Sequence, residues 1–597
     1  MLYPIYTETT SCRDCYKCVR SCPVKAIQIK DGNAMILKER CIFCGKCVHV
    51  CPNSAKKVRD DTDRVKLAIE SSGRRVICSL APSFAAEYSG HEDAFITALK
   101  MLGFSAVSET AIGAALVSEA TDIYAEEHGG TVPWIGTACS TVVELIKKYY
   151  SEDVKRLSPI PSPLQVHSAY LRHLYGDDII IVFIGPCIAK KTEAEYTPGY
   201  PDFALTFREV NLWLEREGID LSSVDADPSV EFIPAKAGIS TIYPVESGQL
   251  QSSGVWKGLD IGSHAVSLSG MDQIMGSLPS SPGDDAFLEM LGCDGGCING
   301  PGIDKDEQIA ARKREVTEYS VRRISGNDTF SGDRAFAEEI LRRGYGILHS
   351  GGPAREDGFR KDFSEESIKK TLIELGKLTK ADELNCGGCG YSTCRDMAIA
   401  YLGGMAEAEM CVTKMRKEAE SKVDVLLRTI PNGIVIVDSD LKIADCNTRF
   451  LNLFGDMEEG FVDQNVLNMV RGLPVERFIP FADKFKDQFY LAHPGQYRMH
   501  YRDKFLRVTF FLVEKKRLLG AMFEDITSPT VRRETVVKKA EDVIQKSLET
   551  VQQIASLLGE NAAETEIMLN SLIEAFSVHG SGDEGESFTQ DNNGDLA

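Results

Sequence analysis

The residues best suited to chemistry in this 597-residue chain are its 18 cysteines. The cytoplasm keeps structural disulfides reduced, so this many thiols in a large cytoplasmic chain would indicate metal or redox chemistry. The spacing separates 16 of them into four sets of four. Cys78 and Cys446 lie alone in apolar segments and are interpreted as buried structural thiols.

Two sets lie in N-terminal runs, C-R-D-C-Y-K-C-V-R-S-C-P and C-I-F-C-G-K-C-V-H-V-C-P. Both have the spacing of bacterial two-cluster ferredoxins, in which the fourth cysteine of each run ligates the other run's cluster. One [4Fe-4S] cluster is therefore expected at Cys12, Cys15, Cys18 and Cys51. The other is expected at Cys41, Cys44, Cys47 and Cys22. Two zinc sites are the alternative, which the doubled motif and its two prolines disfavour.

A third set follows C-x2-C-x4-C with a further cysteine downstream: Cys386, Cys389, Cys394 and Cys411. Glycines between them let the backbone approach the sulfurs and donate N–H groups. The segment C-R-D-M-A-I-A-Y-L-G-G-M-A-E-A-E-M-C predicts a helix and a turn that return the last cysteine. The pattern resembles the small four-cysteine iron–sulfur domain of corrinoid iron–sulfur proteins and related anaerobic enzymes. Zinc is again the alternative.

The last four cysteines are scattered over one α/β-patterned region: Cys139, Cys187, Cys293 and Cys297. Their segments are P-W-I-G-T-A-C-S-T, F-I-G-P-C-I-A-K-K-T-E and E-M-L-G-C-D-G-G-C-I-N-G. Together these resemble the three signature loops of the [FeFe]-hydrogenase H-domain, in the family's order, across roughly residues 65–375. L-A-P-S at 80–83 and Y-P-V-E-S-G-Q-L at 243–250 resemble two further loops of that site.

The resemblance implies an H-cluster, a [4Fe-4S] cube joined through one thiolate to a diiron subsite with CO and cyanide ligands. The scattered four cysteines would ligate the cube, and Cys297 would be the bridge. Lys190 matches the lysine that hydrogen-bonds a cyanide, and Pro82 and Ser83 match wall residues of the pocket. Some relatives keep the four cysteines with a plain cluster and serve in iron–sulfur assembly, which is the alternative within the same fold.

Several positions depart from the catalytic pattern. Ala138 stands where catalytic relatives have a proton-relaying cysteine, and Gly185 and Leu291 stand where they have methionines. Leu164 occupies the place of a glutamine in a further pocket loop, and the third loop lacks its usual run of glycines. Because proton transfer depends on a positioned acid, these changes predict slow turnover. The alternative is drift in a catalytic enzyme that uses another relay, such as Glu119.

The composition changes from residue 424 onward. The segment predicts strand, turn, strand and a helix entered at Asn447, followed by strands that end at 517–527; it resembles a PAS domain. Helical spacing of apolar residues then predicts an amphipathic helix for dimerisation or output, through Ile544, Leu548, Val551 and Leu558. The acidic tail at 580–597 is predicted to be disordered.

The predicted fold class is multidomain α/β and α+β. The domains are a ferredoxin-like two-cluster domain at 1–62, an H-cluster domain of two α/β lobes at 63–375, a four-cysteine iron–sulfur domain at 376–415, a PAS domain at 424–528, an output or dimerisation helix at 529–579 and the tail at 580–597.

The net charge of the chain limits the classes of partner that it can bind. The chain carries −21 overall, which argues against nucleic acid and against anionic membrane. Residues 1–66 carry 13 basic and 7 acidic side chains, a net of +6, and the remainder carries −27. This basic module either docks an acidic, ferredoxin-like redox partner or offsets the charge of its clusters. No apolar run reaches the ~18 residues of a membrane span and no signal peptide is visible, so we expect a cytoplasmic protein.

The whole arrangement resembles the PAS-linked sensory [FeFe]-hydrogenases (group C type). The resemblance implies slow, reversible exchange between H2 and protons at an H-cluster. Three further [4Fe-4S] clusters would pass the redox state to the PAS domain and to an unidentified signalling protein, in a homodimer formed through the PAS domain or the C-terminal helix. The competing function is an ordinary catalytic hydrogenase linked to ferredoxin.

Overall fold

A computed structural model gives the fold of the chain. It describes residues 3–128, 132–227, 229, 231–254, 265–278, 286–304, 308–324, 329–343, 362–455, 464–489, 495–514, 517–527 and 543–547. The chain forms two compact units, Met1–Glu407 and Ala408–Ala597. This division falls inside the predicted four-cysteine domain and separates Cys411 from the other three cysteines of its set.

The N-terminal part of the first unit consists of short strands and two one-turn helices. Its elements are β1 (Ile5–Thr7), α1 (Lys17–Ser21), β2 (Ile27–Lys30), β3 (Asn33–Ile36), α2 (Lys46–His49) and β4 (Lys56–Val58). β1 pairs with β4 and β2 pairs with β3, both antiparallel. Each helix lies inside one cysteine run and follows a residue with positive φ, Tyr16 at 56° and Gly45 at 73°.

A parallel sheet forms the centre of the next region, because its strands are apolar on both faces and are covered by helices on both sides. The strands are β5 (Arg75–Leu80), β6 (Ala106–Glu109), β7 (Ile179–Gly185) and β8 (Phe203–Thr206), in the order β6-β5-β7-β8. A second, two-stranded parallel sheet is formed by β9 (Ala265–Ser269) and β10 (Phe287–Leu291). Two parallel sheets agree with the predicted two α/β lobes.

The helices of this unit pack around the two sheets. They are α3 (Thr62–Ser71), α4 (Phe84–Glu87), α5 (Glu92–Met101), α6 (Ala111–Glu127), α7 (Ser140–Tyr149), α8 (Pro163–Tyr175), α9 (Lys190–Tyr196), α10 (Phe207–Arg216), α11 (Gly248–Ser252), α12 (Met271–Ser277), α13 (Ile309–Ile324), α14 (Arg334–Arg343), α15 (Glu365–Glu374) and α16 (Cys394–Leu402). The helix predicted from Cys394 is confirmed by α16. Cys78 lies on β5 with no exposed surface, as an apolar strand requires.

The second unit begins with α17 (Val412–Thr429) and continues into a five-stranded antiparallel sheet of order β12-β11-β15-β14-β13. Its strands are β11 (Gly433–Asp438), β12 (Ile443–Cys446), β13 (Gln496–Tyr501), β14 (Lys504–Glu514) and β15 (Leu518–Asp525). Its other helices are α18 (Thr448–Phe454), α19 (Gln464–Val470) and α20 (Asp483–Gln488). Asn447 caps α18 by accepting a hydrogen bond from the Phe450 N–H, so the predicted helix start is confirmed.

The predicted output helix at 529–579 lies outside the described residues except for 543–547, which are helical. The predicted tail at 580–597 lies wholly outside them. Within the described part of the chain, no helix is both long enough and apolar enough to span a bilayer.

Candidate metal centres

The four scattered cysteines meet at one cavity of about 100 Å³. Three of its wall segments directly follow parallel strands: 81–83 after β5, 186–187 after β7 and 292–293 after β10. The carboxyl ends of parallel strands are where α/β folds bind their ligands. Cys139 joins them as the N-cap residue of α7. The fold therefore brings together residues that are up to 158 positions apart in sequence.

Burial makes these thiols poor acids in the absence of metal. It raises the pKa of Cys187 to about 11 and that of Cys293 well above its usual value. Burial also raises the pKa of Cys297, and negative charge on Cys139 and Cys187 would raise it further. Thiolates this close together in an apolar wall are stable only when positive charge is shared among them. The donor set thus fits an iron–sulfur cluster, whose binding would displace the thiol protons.

Glycines between and just after Cys293 and Cys297 are required by backbone packing. Gly296 has φ +106°, and an added Cβ there would lie 2.3 Å from the Pro244 carbonyl oxygen. A Cβ on Gly300 would lie 2.6 Å from the Pro186 carbonyl oxygen. Only residues without side chains let the three loops approach so closely. This close approach is what places two thiols, four residues apart, on the same cavity wall.

Ser83 supplies a buried polar atom to that wall. The residue is 2% exposed and lines the cavity beside Pro82, and its Oγ has no hydrogen-bond partner among the described residues. A buried hydroxyl without a partner costs free energy. Its position therefore suits a ligand with a hydrogen-bonding group.

Lys190 lines the cavity, but its charge is neutralised within the protein. Its Nζ lies 2.5 Å from Glu193 Oε2 and 3.2 Å from Ser162 Oγ. Glu193 is fully buried and also accepts hydrogen bonds from Ser140 and Ser162. An ammonium has three N–H groups, so one remains for a ligand in the cavity. Glu193 is not among the residues that the sequence pattern identified, although its position one helical turn after Lys190 is a usable signal.

Three of the four positions that depart from the catalytic hydrogenase pattern lie on the wall of the cavity. Ala138, Leu164 and Leu291 all line the cavity. Gly185 does not; a Cβ at this position would lie 2.4 Å from the Phe183 ring and 2.7 Å from the Ala81 Cβ. Phe183 itself lines the cavity. A methionine at 185 is therefore excluded by the present packing, a steric cause that the sequence alone did not show.

Glu119, the alternative relay, is not among the residues that line the cavity. It lies on α6, half-buried, and its Oε2 accepts a hydrogen bond from the Asp333 N–H at 2.9 Å. Partial burial raises the pKa of its carboxyl group. The structure therefore does not bring Glu119 to the cavity wall.

The spacing of the N-terminal cysteines predicts that Cys22 joins the second run and that Cys51 joins the first. Burial raises the pKa of Cys41, Cys44 and Cys47, and the charge of Cys22 is a further cause in each case. Cys22 therefore lies beside the second run, although it belongs to the first in sequence. The Ala26 N–H donates to Cys22 Sγ at 3.2 Å, as backbone groups commonly do around iron–sulfur clusters.

The first set is Cys12, Cys15, Cys18 and Cys51. Burial raises the pKa of Cys18, and the charges of Cys12 and Cys15 are further causes, so these three thiols lie close together. Cys51, its predicted fourth member, accepts a hydrogen bond from the Ala55 N–H at 3.2 Å, in the same local geometry as Cys22. Within the described residues, no three His, Cys, Asp or Glu side chains converge on the position of a single metal ion.

The third set is anchored by the start of α16. Thr393 and Asp396 form a reciprocal cap there, and the Cys394 N–H donates to Asn385 Oδ1 at 2.8 Å. Cys389 is buried and Cys386 is exposed. Cys411 belongs to the second compact unit, so its place in this set stays a prediction.

Family comparisons match four segments of the chain. Residues 74–258 match "Iron only hydrogenase large subunit, C-terminal domain", and residues 4–52 match "4Fe-4S dicluster domain". Residues 382–413 match an Fe-S cluster family, and residues 422–487 match "PAS domain". The third match includes all four cysteines of the 386–411 set.

Among curated relatives, Iron hydrogenase 1 of Clostridium pasteurianum is 23% identical over 331 residues, 45% of this chain and 56% of that protein. The Periplasmic [Fe] hydrogenase large subunit of Nitratidesulfovibrio vulgaris is 24% identical over 258 residues, 35% of this chain and 61% of that protein. The chain thus spans less than two thirds of the length of either relative.

Among solved structures, a variant of [FeFe]-hydrogenase HydA1 from Chlamydomonas reinhardtii matches 49% of this chain and 98% of its own, with 14% identity and a TM-score of 0.36. The PAS domain of HTR-like protein from Haloarcula marismortui matches 18% of this chain and 99% of its own, with 20% identity and a TM-score of 0.15.

Proposed function

We propose that this chain, in which an iron-only hydrogenase large-subunit domain lies between a 4Fe-4S dicluster domain and a PAS domain, is an H2-sensing [FeFe]-hydrogenase. One observation carries the proposal. Four cysteines share a cavity that suits an H-cluster. Ala138 lines the same cavity, at the position where catalytic hydrogenases have the cysteine that relays protons. H2 and protons are the substrates, and turnover is slow and reversible.

Cys139, Cys187, Cys293 and Cys297 are the residues that would hold an H-cluster. When bound, this group supplies the iron site at which H2 is split heterolytically. Lys190 keeps one N–H for an anionic ligand, and Ser83 offers its unpartnered Oγ to the same space. The lining of the cavity is mostly apolar, and low local polarity would strengthen both interactions.

Slow turnover follows from the fate of the proton. A methyl group at Ala138 can neither accept a proton nor donate one. The loss of one positioned acid–base group typically lowers a rate by about 10²–10⁴-fold. Glu119 is committed to the Asp333 N–H and offers no replacement at the wall. A site that binds H2 but turns over slowly can report the balance of H2 and protons without consuming it.

Signal output would pass through α17, which begins directly after Cys411. The end of this helix is fastened to the PAS domain, because Asn447 Nδ2 donates to the Leu427 carbonyl oxygen at 2.9 Å. Leu427 and Ile430 also pack against Phe511 on the sheet. A change of charge at Cys411 therefore has a short mechanical path to the PAS sheet. The proposed recipient of the signal is a separate signalling protein. It would recognise a homodimer that forms through the PAS domain or the C-terminal helix.

The decisive experiment uses full-length protein matured anaerobically. Infrared bands of CO and cyanide, with about 18 iron atoms per chain, are expected for four cubes and a diiron site. H2 should change these bands while turnover stays far below that of catalytic relatives. Bands with high turnover would favour the ordinary ferredoxin-linked hydrogenase. Complete absence of the bands would favour the assembly-type homologue.

The sensing step has its own measurement. Hydrogen exchange of residues 412–454 should differ between oxidised protein and protein reduced under H2. Identical protection in the two states would remove the signalling part of the proposal and leave the H2 chemistry standing.

A further inference from the structure

The four-cysteine segment does not contact the hydrogenase-type cavity; it docks on the ferredoxin-like domain. Residues 404–407 run along the free edge of β2. The Ile29 N–H donates to the Met405 carbonyl oxygen at 3.0 Å, and Gln28 Nε2 donates to the Gly404 carbonyl oxygen at 2.6 Å. The Asp31 N–H donates to Glu407 Oε1 at 2.7 Å. These bonds extend the β2–β3 hairpin by a third segment.

A second contact lies at the cysteines themselves. Arg20 bridges the two domains, with Nη1 on the Gly388 carbonyl oxygen and Nη2 on the Cys15 carbonyl oxygen, both at 3.0 Å. Gly390 packs so tightly on α1 that an added Cβ would lie 2.8 Å from Val19 Cγ1. The loop that carries Cys386 and Cys389 is thereby pressed against α1.

Cys389 and Cys22 lie on either side of this contact. Lys25, three residues after Cys22, lines one cavity together with Arg40, which precedes Cys41, and with Tyr391, two residues after Cys389. Residues of the two domains that neighbour these cysteines in sequence thus meet at the same place. The predicted crossed ligation assigns Cys22 to the second set, so the loop of Cys386 and Cys389 lies beside the chain segments that carry this set: Cys22, Cys41, Cys44 and Cys47.

The other side of this second set faces the cavity. Phe43 and Cys44 line the cavity together with Cys293. A Cβ on Gly45 would lie 2.3 Å from the Pro301 Cβ, in the glycine-rich loop that follows Cys297. Contact this close leaves no space for water between Gly45 and Pro301.

Two side chains of α7 hold the second run in this position. Lys148 Nζ donates to the Cys41 carbonyl oxygen, and Tyr149 OH donates to the Arg40 carbonyl oxygen, each at 2.7 Å. The second set is therefore fastened to the hydrogenase-type domain on one side and to the four-cysteine segment on the other.

We infer that the thiolate set Cys22, Cys41, Cys44 and Cys47 is a branch point that connects the cavity both to the four-cysteine segment and to the first set. The inference rests on the proposed function. Each H2 that is split leaves two protons and two electrons. These thiolate sets would hold clusters that carry the electrons one at a time, so that each transfer would oxidise one cluster and reduce the next. One arm leads to the PAS side of the chain, and the other leads to an external redox partner through Cys12, Cys15, Cys18 and Cys51.

The branch makes a specific demand on the first set. In a linear chain, electrons bound for the four-cysteine segment would cross the first set. In the branched arrangement these electrons do not cross the first set. The external partner and the PAS domain would then receive electrons by two separate routes from the second set. The contacts of Arg20, Gln28 and Glu407 become positioning contacts for signal output and have no role at the cavity.

The test uses iron-loaded, full-length protein reduced with dithionite, so that no H2 chemistry is needed. Electron paramagnetic resonance should show magnetic interaction between the third and second sets. Gln28→Glu places a carboxylate against the Gly404 carbonyl oxygen and should weaken that interaction at unchanged iron content. Gln251→Glu makes the same chemical change at an exposed site on α11 and should leave it unchanged. An interaction that is absent from the unsubstituted protein would overturn the inference.

Cys15→Ser separates the branched arrangement from a linear one. Loss of the first cluster should leave the interaction between the other two sets intact; its disappearance would overturn the branch. Hydrogen exchange of the Ile29 and Asp31 amides gives a readout independent of iron. Slow exchange is expected, and exchange as fast as in an exposed loop would overturn the docking. Missing CO and cyanide bands would refute only the proposed function, since none of these measurements depends on them.

Discussion

Replacing Glu193 by glutamine should leave the ammonium of Lys190 stranded in the protein interior. Their charged atoms are 2.5 Å apart, Glu193 is fully buried and the Lys190 side chain is 9% exposed. Loss of one partner from a buried pair costs about 3–5 kcal/mol, because the remaining charge is poorly solvated. Glu193→Gln also turns an N–H2 group toward the donors Ser140 and Ser162. We therefore expect the free energy of unfolding of this domain to fall by about 3–5 kcal/mol.

Tryptophan fluorescence during urea unfolding measures this domain alone, because the three tryptophans all lie within residues 63–375: Trp134, Trp213 and Trp256. The matched control is Lys190→Met with Glu193→Leu, which removes both charges at similar volume and should cost far less than Glu193→Gln. A Glu193→Gln loss below about 1 kcal/mol would refute the reasoning. An equal loss in the double variant would assign the effect to packing and not to the charge pair.

Three further outcomes are expected. Ala138→Cys should raise H2 turnover, by less than the full ~10²–10⁴-fold of a positioned acid because other wall residues also differ; unchanged turnover would mean that this residue does not limit the rate. Gly185→Met should destabilise the domain by about 1–3 kcal/mol in urea unfolding, and adding Phe183→Ala should relieve much of the clash. Burial raises the pKa of Glu289 to about 7 from an ordinary 4.5, so the folded state disfavours the ionised form and stability should fall by about 3 kcal/mol between pH 4.5 and 7. Glu289→Gln should flatten that pH profile, and a retained slope would assign it to other groups.

The features that sequence reasoning predicted correctly depend on short stretches of chain. The helix predicted from Cys394 onward is present as α16, Cys394–Leu402. The PAS strands and the cap at Asn447 follow from local alternation and from a side chain that accepts a helix N–H. Such features are set by residues a few positions apart, so the sequence displays them directly.

The features that it missed depend on contacts between distant segments. No local signal shows that Phe183 closes the space at position 185, or that Phe43 and Cys44 of the N-terminal module reach the cavity. The partner of Lys190 was visible as a nearby acid, but its complete burial was not. These contacts arise only when separate loops converge at the ends of parallel strands, and a single sequence does not encode them in any short pattern.

The substitutions around the cavity are linked by packing, which bears on why turnover should stay low. Gly185 is fixed by the Phe183 ring and the Ala81 Cβ, so a methionine returns there only if its neighbours change as well. Leu164 and Leu291 complete an apolar wall next to Ala138. Such a wall can hold a cluster and its ligands, but these side chains offer no group that accepts or donates a proton. Restoring one thiol would open one step of a proton path, whereas the surrounding wall would still have to be repacked. The proposed slow turnover therefore depends on the whole cavity and not on Ala138 alone.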